Sequence, residues 1–273
     1  RGSVPLAPEN RERLEEYMAA FNQPQSTIAL EQGDYANTGF TQWGASGLAV
    51  AWAEENTRDS IFKAFKRKET FATTGSRIAV RFFGGFDLSS IDLNSDNLVS
   101  DSYKKGVTMG ADLMSDGDKT PEFIVWAQKD KNGASLQRVQ IIKGWMDTTS
   151  GRPSEKVYDI ACSDGLQVDP ITHRCPDNGA RVNIADCSIS QNVGSSELKT
   201  LWRDPEFKSS DKSFYYVRVL ENPTCRWSTW DAIKRGFKPR EDLHDTIQER
   251  AWSSPIWYIP EPSDVVVVPL GGT

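Results

Sequence analysis

The hydrophobic period of this chain changes at residue 77, from the 3.6-residue repeat of a helix to the alternation of a strand, and keeps the second form thereafter. Alternation puts every second side chain on one face, and a chain that alternates for most of its length must pack those faces together as sheets. Ile78, Val80 and Phe82 alternate with Ala79 and Arg81. Residues 123–127 (FIVWA) are apolar on both faces, and Val139, Ile141 and Trp145 share a side within 136–145. Further strand candidates are 156–162, 181–189, 213–221, 254–259 and 264–268, separated by Gly, Pro, Asp and Asn clusters. Seven or eight short strands at this spacing predict an antiparallel β-sandwich. One brief helix is expected over 197–202, after the Ser195-Ser196 cap and before Asp204-Pro205.

Upstream of residue 77 the pattern is helical. Leu14, Tyr17, Met18 and Phe21 form an i, i+3, i+4, i+7 stripe within 9–21, the mark of an amphipathic helix. Residues 22–47, rich in Gln, Gly, Asn and Thr, read as a long loop. A short apolar run over 48–53 then leads to Asn56, which can cap a helix whose third position is Asp59. Ile61, Phe62 and Phe65 are expected to be its buried stripe, Lys66, Arg67 and Lys68 its basic last turn, and Gly75 the exit. The fold class expected is therefore mainly β, α+β overall, with a helix-strand-helix piece ahead of the sandwich.

Composition narrows the partners. The 38 acidic residues outnumber 32 basic ones, and a net charge of −6 would repel a phosphate backbone, so nucleic acid is not expected as a partner. No apolar run approaches the roughly 20 residues of a membrane-spanning helix. The chain starts at Arg1 rather than Met and opens without a signal segment, so an upstream portion is expected, and any targeting signal with it.

Cys162, Cys175, Cys187 and Cys225 are an even set with no C-x-x-C pair among them. Zinc sites usually draw thiolates from close pairs, so two disulfides are favoured over reduced thiols and over zinc. Cys162 ends a strand candidate, and the turn-rich stretch to Cys175 lets the chain fold back. Cys187 lies on the next strand candidate, and Cys225 follows the strand 213–221. The favoured pairing is 162–175 with 187–225, and it implies a periplasmic or secreted protein.

Candidate chemistry is sparse. His173 and His244 are the only histidines, and two isolated imidazoles cannot furnish a multinuclear metal site. Both read as exposed loop residues. Asp92, Asn94 and Asp96 have the first ligand spacings of a calcium loop, but Asn97 and Tyr103 stand where Gly and Glu are required, so an Asx-rich turn is the better reading. Gly84-Gly85 lies in no phosphate-binding motif. Residues 222–230 interleave Arg226 with Trp227 and Trp230, either a stacking platform or a loop that packs its Trp residues and is tethered by Cys225.

Longer phrases carry a family resemblance. They include WAEENTRDSIFKAFKRKETFATTGSRIAVRFFGGF (52–86), RVQIIKGWMD (138–147), KVYDIACSDG (156–165), LWRDPEFKSSDKSFYYVRVLENPTCRWSTWDA (201–232) and TIQERAWSSPIWYIP (246–260). Over residues 47–262 the chain resembles the C-terminal half of the bacterial DUF3604 family, a domain family of unknown function whose members look like relatives of the PHP (polymerase and histidinol phosphatase) metallohydrolases. The resemblance implies a distorted β/α barrel, mostly upstream, followed by a β-rich domain. Residues 1–76 would be the tail of the barrel and 77–273 the accessory sandwich. The family's H-x-H metal motif is absent from this sequence, and no metal ligand is carried over. The full-length parent would use divalent metal ions to hydrolyse a phosphoester or a related ester or amide.

Three functions compete. In the first, the chain frames the catalytic barrel, which is then its partner, and Glu54, Asn56 and Arg77 near the barrel-sandwich junction grip a substrate anion. In the second, it is a non-catalytic ligand- or carbohydrate-binding module that uses Arg226, Trp227 and Trp230. The third, a self-contained enzyme built on His173 or His244, lacks an identifiable nucleophile or carboxylate partner. The sequence favours the first, with this chain inactive by itself, and it does not fix the oligomeric state.

Overall fold

The computed structural model describes residues 47–147 and 151–261 in full, together with the backbone of 27–30 and 33–36. The helix expected over 9–21 and the strand expected over 264–268 lie outside the described residues. Within the stretch read as a loop, β1 (Thr27–Leu30) and β2 (Gly33–Ala36) pair as an antiparallel hairpin. Four-residue strands give only two alternations each, too few to register as a period.

The next strands belong to two facing sheets. β3 (Leu48–Ala51) and β4 (Thr70–Thr73) flank helix α1 (Arg58–Lys66). β5 (Ala79–Gly85) is followed by α2 (Leu98–Lys105), β6 (Gly106–Thr108) and β7 (Asp112–Met114). Then come β8 (Glu122–Gln128), β9 (Leu136–Met146) and β10 (Pro153–Cys162). A small hairpin, β11 (Val182–Asn183) and β12 (Ser188–Ile189), precedes β13 (Glu197–Arg203) and β14 (Ser213–Glu221). β15 (Thr224–Cys225), α3 (Trp227–Lys234), β16 (Thr246–Ile247), β17 (Arg250–Ser253) and β18 (Ile256–Ile259) complete the described part.

The larger sheet runs β10-β9-β14-β17-β4-β3, with β18 joined to β14 and, in parallel, to β7. The smaller runs β13-β8-β5-β6, antiparallel throughout. The result is an antiparallel, sandwich-like fold, mainly β, as the alternation implied. Its core forms where Val80, Phe82, Phe123 and Val125 of the smaller sheet meet Val139, Ile141, Tyr215, Val217 and Val219 of the larger, all buried. Phe123 joins the two layers, its ring 4.5 Å from that of Tyr215 and 5.6 Å from that of Phe82. Burying each such ring stabilises the fold by about 2–3 kcal/mol. The opposite face of the smaller sheet carries a second cluster, in which Phe83 and Ile124 pack with Leu88, Ile91 and Leu98. β4 and β3 continue the larger sheet through β17, on the near side of residue 77.

Several local expectations fail, each because tertiary pairing outweighs a local signal. Residues 197–203 are strand, not helix: Leu198 and Trp202 face the main core, Leu201 faces the second cluster, and the whole segment pairs with β8. α1 is capped by Thr57, whose hydroxyl accepts from the Ser60 N–H, and not by Asn56. Its expected buried stripe is reversed. Phe62 and Phe65 are 58% and 53% exposed, and Ala64 is the residue at zero exposure. α2 arises in the acidic stretch read as turns, and α3 in the segment read as a wrapped loop, while the candidate 181–189 is a hairpin of two-residue strands.

The disulfides are Cys162–Cys175 and Cys187–Cys225, each with Cα atoms 5.6 Å apart, as the turn pattern indicated. Between the sheets Lys143 and Asp204 form a 2.5 Å ion pair, both buried, and Tyr215 donates its hydroxyl to Asp204 at 2.7 Å. Lys143 also donates to the Glu206 carbonyl at 2.9 Å. This network fixes the turn between β13 and β14.

Candidate functional site

The sequence between β3 and β4 makes one excursion, a loop and α1, and returns so that the Trp52 N–H meets the Glu69 carbonyl at 3.0 Å. The return passes through Lys68 at a positive φ of 57° and buries Glu69, which is 2% exposed. A carboxylate removed from water needs donors on every side. Glu69 receives them from four elements. Arg67 at the end of α1 donates at 3.3 Å, Arg81 of β5 at 3.4 Å and Thr108 of β6 at 3.2 Å, and the Tyr103 hydroxyl of α2 completes the set.

The partners are themselves held. Arg81 donates to the Tyr103 oxygen at 2.9 Å, and its guanidinium carbon lies 3.5 Å from the centroid of the Trp52 ring. Trp52 is fixed in turn by an indole N–H bond of 2.8 Å to the Val80 carbonyl. Arg67 donates to the Trp52 carbonyl at 3.4 Å. Burial, with Glu69 beside it, pushes the Tyr103 hydroxyl above its usual range, so it stays a proton donor at neutral pH. Trp52, Ala53, Glu54, Arg67, Glu69, Arg81 and Tyr103 line a cleft of about 470 Å³.

Two guanidinium groups stand against the Glu69 and Glu54 carboxylates, so the lining carries no net charge and what it offers is the geometry of the guanidinium forks. Each arginine uses a single terminal nitrogen for the bonds described, and among the described residues its remaining N–H groups have no partner. Such a cleft can take an oxyanion, because planar guanidinium forks match carboxylate and phosphate oxygens. Among the described residues no three His, Cys, Asp or Glu side chains are grouped so as to hold a metal ion. Asp92 accepts the Asn94 N–H at 2.9 Å, an Asx turn.

Of the residues expected at the junction, Glu54 lines this cleft, on its exposed rim. Asn56 is exposed and outside the lining. Arg77 is exposed in the turn before β5, where its N–H donates to Asp130 at 2.7 Å. The alternative patch is divided. Arg226 is buried, 6% exposed, Trp227 is half-buried, and Trp230 is 39% exposed with Lys234 over its ring at 5.1 Å. Arg226 caps α3 and bonds Ser228 at 2.7 Å, and burial together with the Arg240 charge lowers its pKa. It lines a second cleft of about 490 Å³ with Arg181, Arg250 and the exposed His244. His173 is half-buried, its ring 5.0 Å from that of Tyr158, and its carbonyl accepts the Asp159 N–H.

A model of the family described as "Protein of unknown function (DUF3604)" matches residues 10–260. The chain belongs to the DUF3604 family. No curated protein and no solved structure matches it. The match spans both sheets and the cleft, so the Glu69 cluster lies within the family's own domain. The sequence reading assigns no functional role to Trp52, Arg67, Glu69, Arg81 or Tyr103. The one signal was Arg81, a charge inside the apolar run 78–86.

Proposed function

We propose that this chain is the β-sandwich part of a bacterial, PHP-like metal-dependent hydrolase, where it frames the catalytic barrel and grips an anionic group of the substrate in the junction cleft. The observation that carries the reading is the buried Glu69 carboxylate, which orients Arg67, Arg81 and Tyr103 in the lining of the cleft. Preorganised donors of this kind bind phosphate or carboxylate oxygens without reorganising, which suits a phosphoester or a related ester or amide substrate. In this reading the barrel precedes β3, because β3 and β4 belong to the larger sheet, and the barrel is the partner that supplies the divalent metal ions. The two disulfides suit a periplasmic or secreted setting. No helix among the described residues is long and apolar enough to cross a membrane.

The test is hydrolysis of bis(p-nitrophenyl) phosphate and p-nitrophenyl phosphate by the intact gene product loaded with Mn²⁺ or Zn²⁺, wild type against Arg81→Ala. Turnover by the wild type, with KM raised about ten-fold in the variant and its metal content unchanged, is the expected result, a change worth about 1.4 kcal/mol. Absence of turnover with both metals, or equal KM values, overturns the proposal.

A further inference from the structure

On the larger sheet, core-facing residues of β14 are Tyr215, Val217 and Val219, so Phe214 and Tyr216 lie on the outer face. Cross-strand register places Glu155, Gly144, Phe214 and Trp257 in one row across β10, β9, β14 and β18. Three strand spacings make this row about 14 Å long. Gly144 is the reason the row is a depression. A Cβ there would collide with the Phe214 ring, which lies directly over the glycine. Trp257, 37% exposed, stands beside it at 5.0 Å between centroids and tilted by 48°, forming a wall. Met146, Pro153, Ser154 and Lys212 complete a groove of about 420 Å³.

We infer that this groove binds a neutral oligosaccharide, independently of the anion cleft. An aromatic floor and wall offer dispersion to the C–H faces of a pyranose ring. Glu155 and Lys212 at the rim are exposed. A wholly apolar ligand would strip water from both heads and replace none of it, whereas the hydroxyls at a sugar's edge bond to both. One carboxylate and one ammonium leave the rim without net charge, which favours a neutral glycan over a uronate or sulfated polymer. The floor is built on paired strands, so it is preformed and binding loses little ordering entropy.

Titration of the full chain with cellohexaose, xylohexaose, mannohexaose and chitohexaose, followed by calorimetry and tryptophan fluorescence, tests the assignment. At least one of the four is expected to bind. Trp257→Ala should weaken that binding ten-fold or more with an unchanged circular dichroism spectrum, and Trp230→Ala, at the other tryptophan exposed among the described residues, should leave it intact. The assignment is overturned if none of the four binds, or if the two variants bind alike. It is equally overturned if binding appears only after truncation at Glu261, since the groove would then be covered by the chain's own last residues.

Discussion

The guanidinium of Arg81 lies 3.5 Å from the centre of the Trp52 ring, and the same indole donates to the carbonyl of Val80, the residue before that arginine. One strand therefore fixes both the cation and the surface it stacks on. Lysine cannot reproduce this, because an ammonium has neither the planar face nor the fork. Arg81→Lys should therefore weaken binding of inorganic phosphate by the chain nearly as much as Arg81→Ala, about ten-fold, in a calorimetric titration. Retention of wild-type affinity in the lysine variant would show that charge alone acts there.

The disulfides differ in the length of chain they close, 13 residues for Cys162–Cys175 and 38 for Cys187–Cys225. In the chain-entropy model the first stabilises by about 3 kcal/mol and the second by about 4 kcal/mol. The double replacement Cys187→Ser with Cys225→Ser should lower the urea midpoint more than Cys162→Ser with Cys175→Ser. The reverse order would locate the stabilisation in native-state packing rather than in the unfolded chain.

Glu221 is 1% exposed, and its Oε1 has no hydrogen-bond partner. Burial, reinforced by the Glu249 and Asp130 charges, raises its pKa from 4.5 to about 7. A folded-state pKa above the unfolded value means that the group's contribution is fully present below pH 4.5 and lost as pH rises through about 7. The shift corresponds to about 3 kcal/mol. Glu221→Gln should flatten the stability profile over this window and leave the variant more stable than the wild type at pH 8. Parallel urea curves at pH 5 and pH 8 measure it, and an equal pH slope in both proteins would rule out Glu221 as the titrating group.

Sequence pattern revealed those parts of the fold whose signal is long or covalent. β9 and β14 carry nine to eleven residues of alternation and were legible. So was the cysteine pairing, because the turns between Cys162 and Cys175 restrict the path. β13 was not, since Ser195-Ser196 and the following Glu197 imitate a helix start, and only the β8 edge decides otherwise. α1 misled for the opposite reason: its apolar spacing is helical, yet Phe62 and Phe65 face away from the described core. At the junction, Glu54 could be read from sequence as a residue of the cleft, but the centre of the cluster could not. Glu69 draws Arg81, Tyr103 and Thr108 from 12, 34 and 39 residues away, and no local period encodes a carboxylate shared by four elements.

Lys143 and Asp204 test how the sandwich tolerates charge in its interior. Their 2.5 Å pair is nearly free of solvent, with side-chain exposures of 4% and 0%. Removing one member strands the other, so Lys143→Met and Asp204→Leu should each destabilise by about 3–5 kcal/mol in urea unfolding. The lysine variant should be the milder of the two, because the Tyr215 hydroxyl and the Glu206 N–H still donate to the remaining Asp204 carboxylate, whereas Asp204→Leu leaves the Lys143 ammonium with the Glu206 carbonyl. The double variant replaces the pair by apolar side chains of similar size within a core that already holds Tyr158 and Trp202, so it should recover at least half of the larger single loss. Strict additivity of the two losses would mean that the residues act separately, Lys143 through the Glu206 carbonyl and Asp204 through Tyr215, and that the ion pair contributes nothing beyond those bonds.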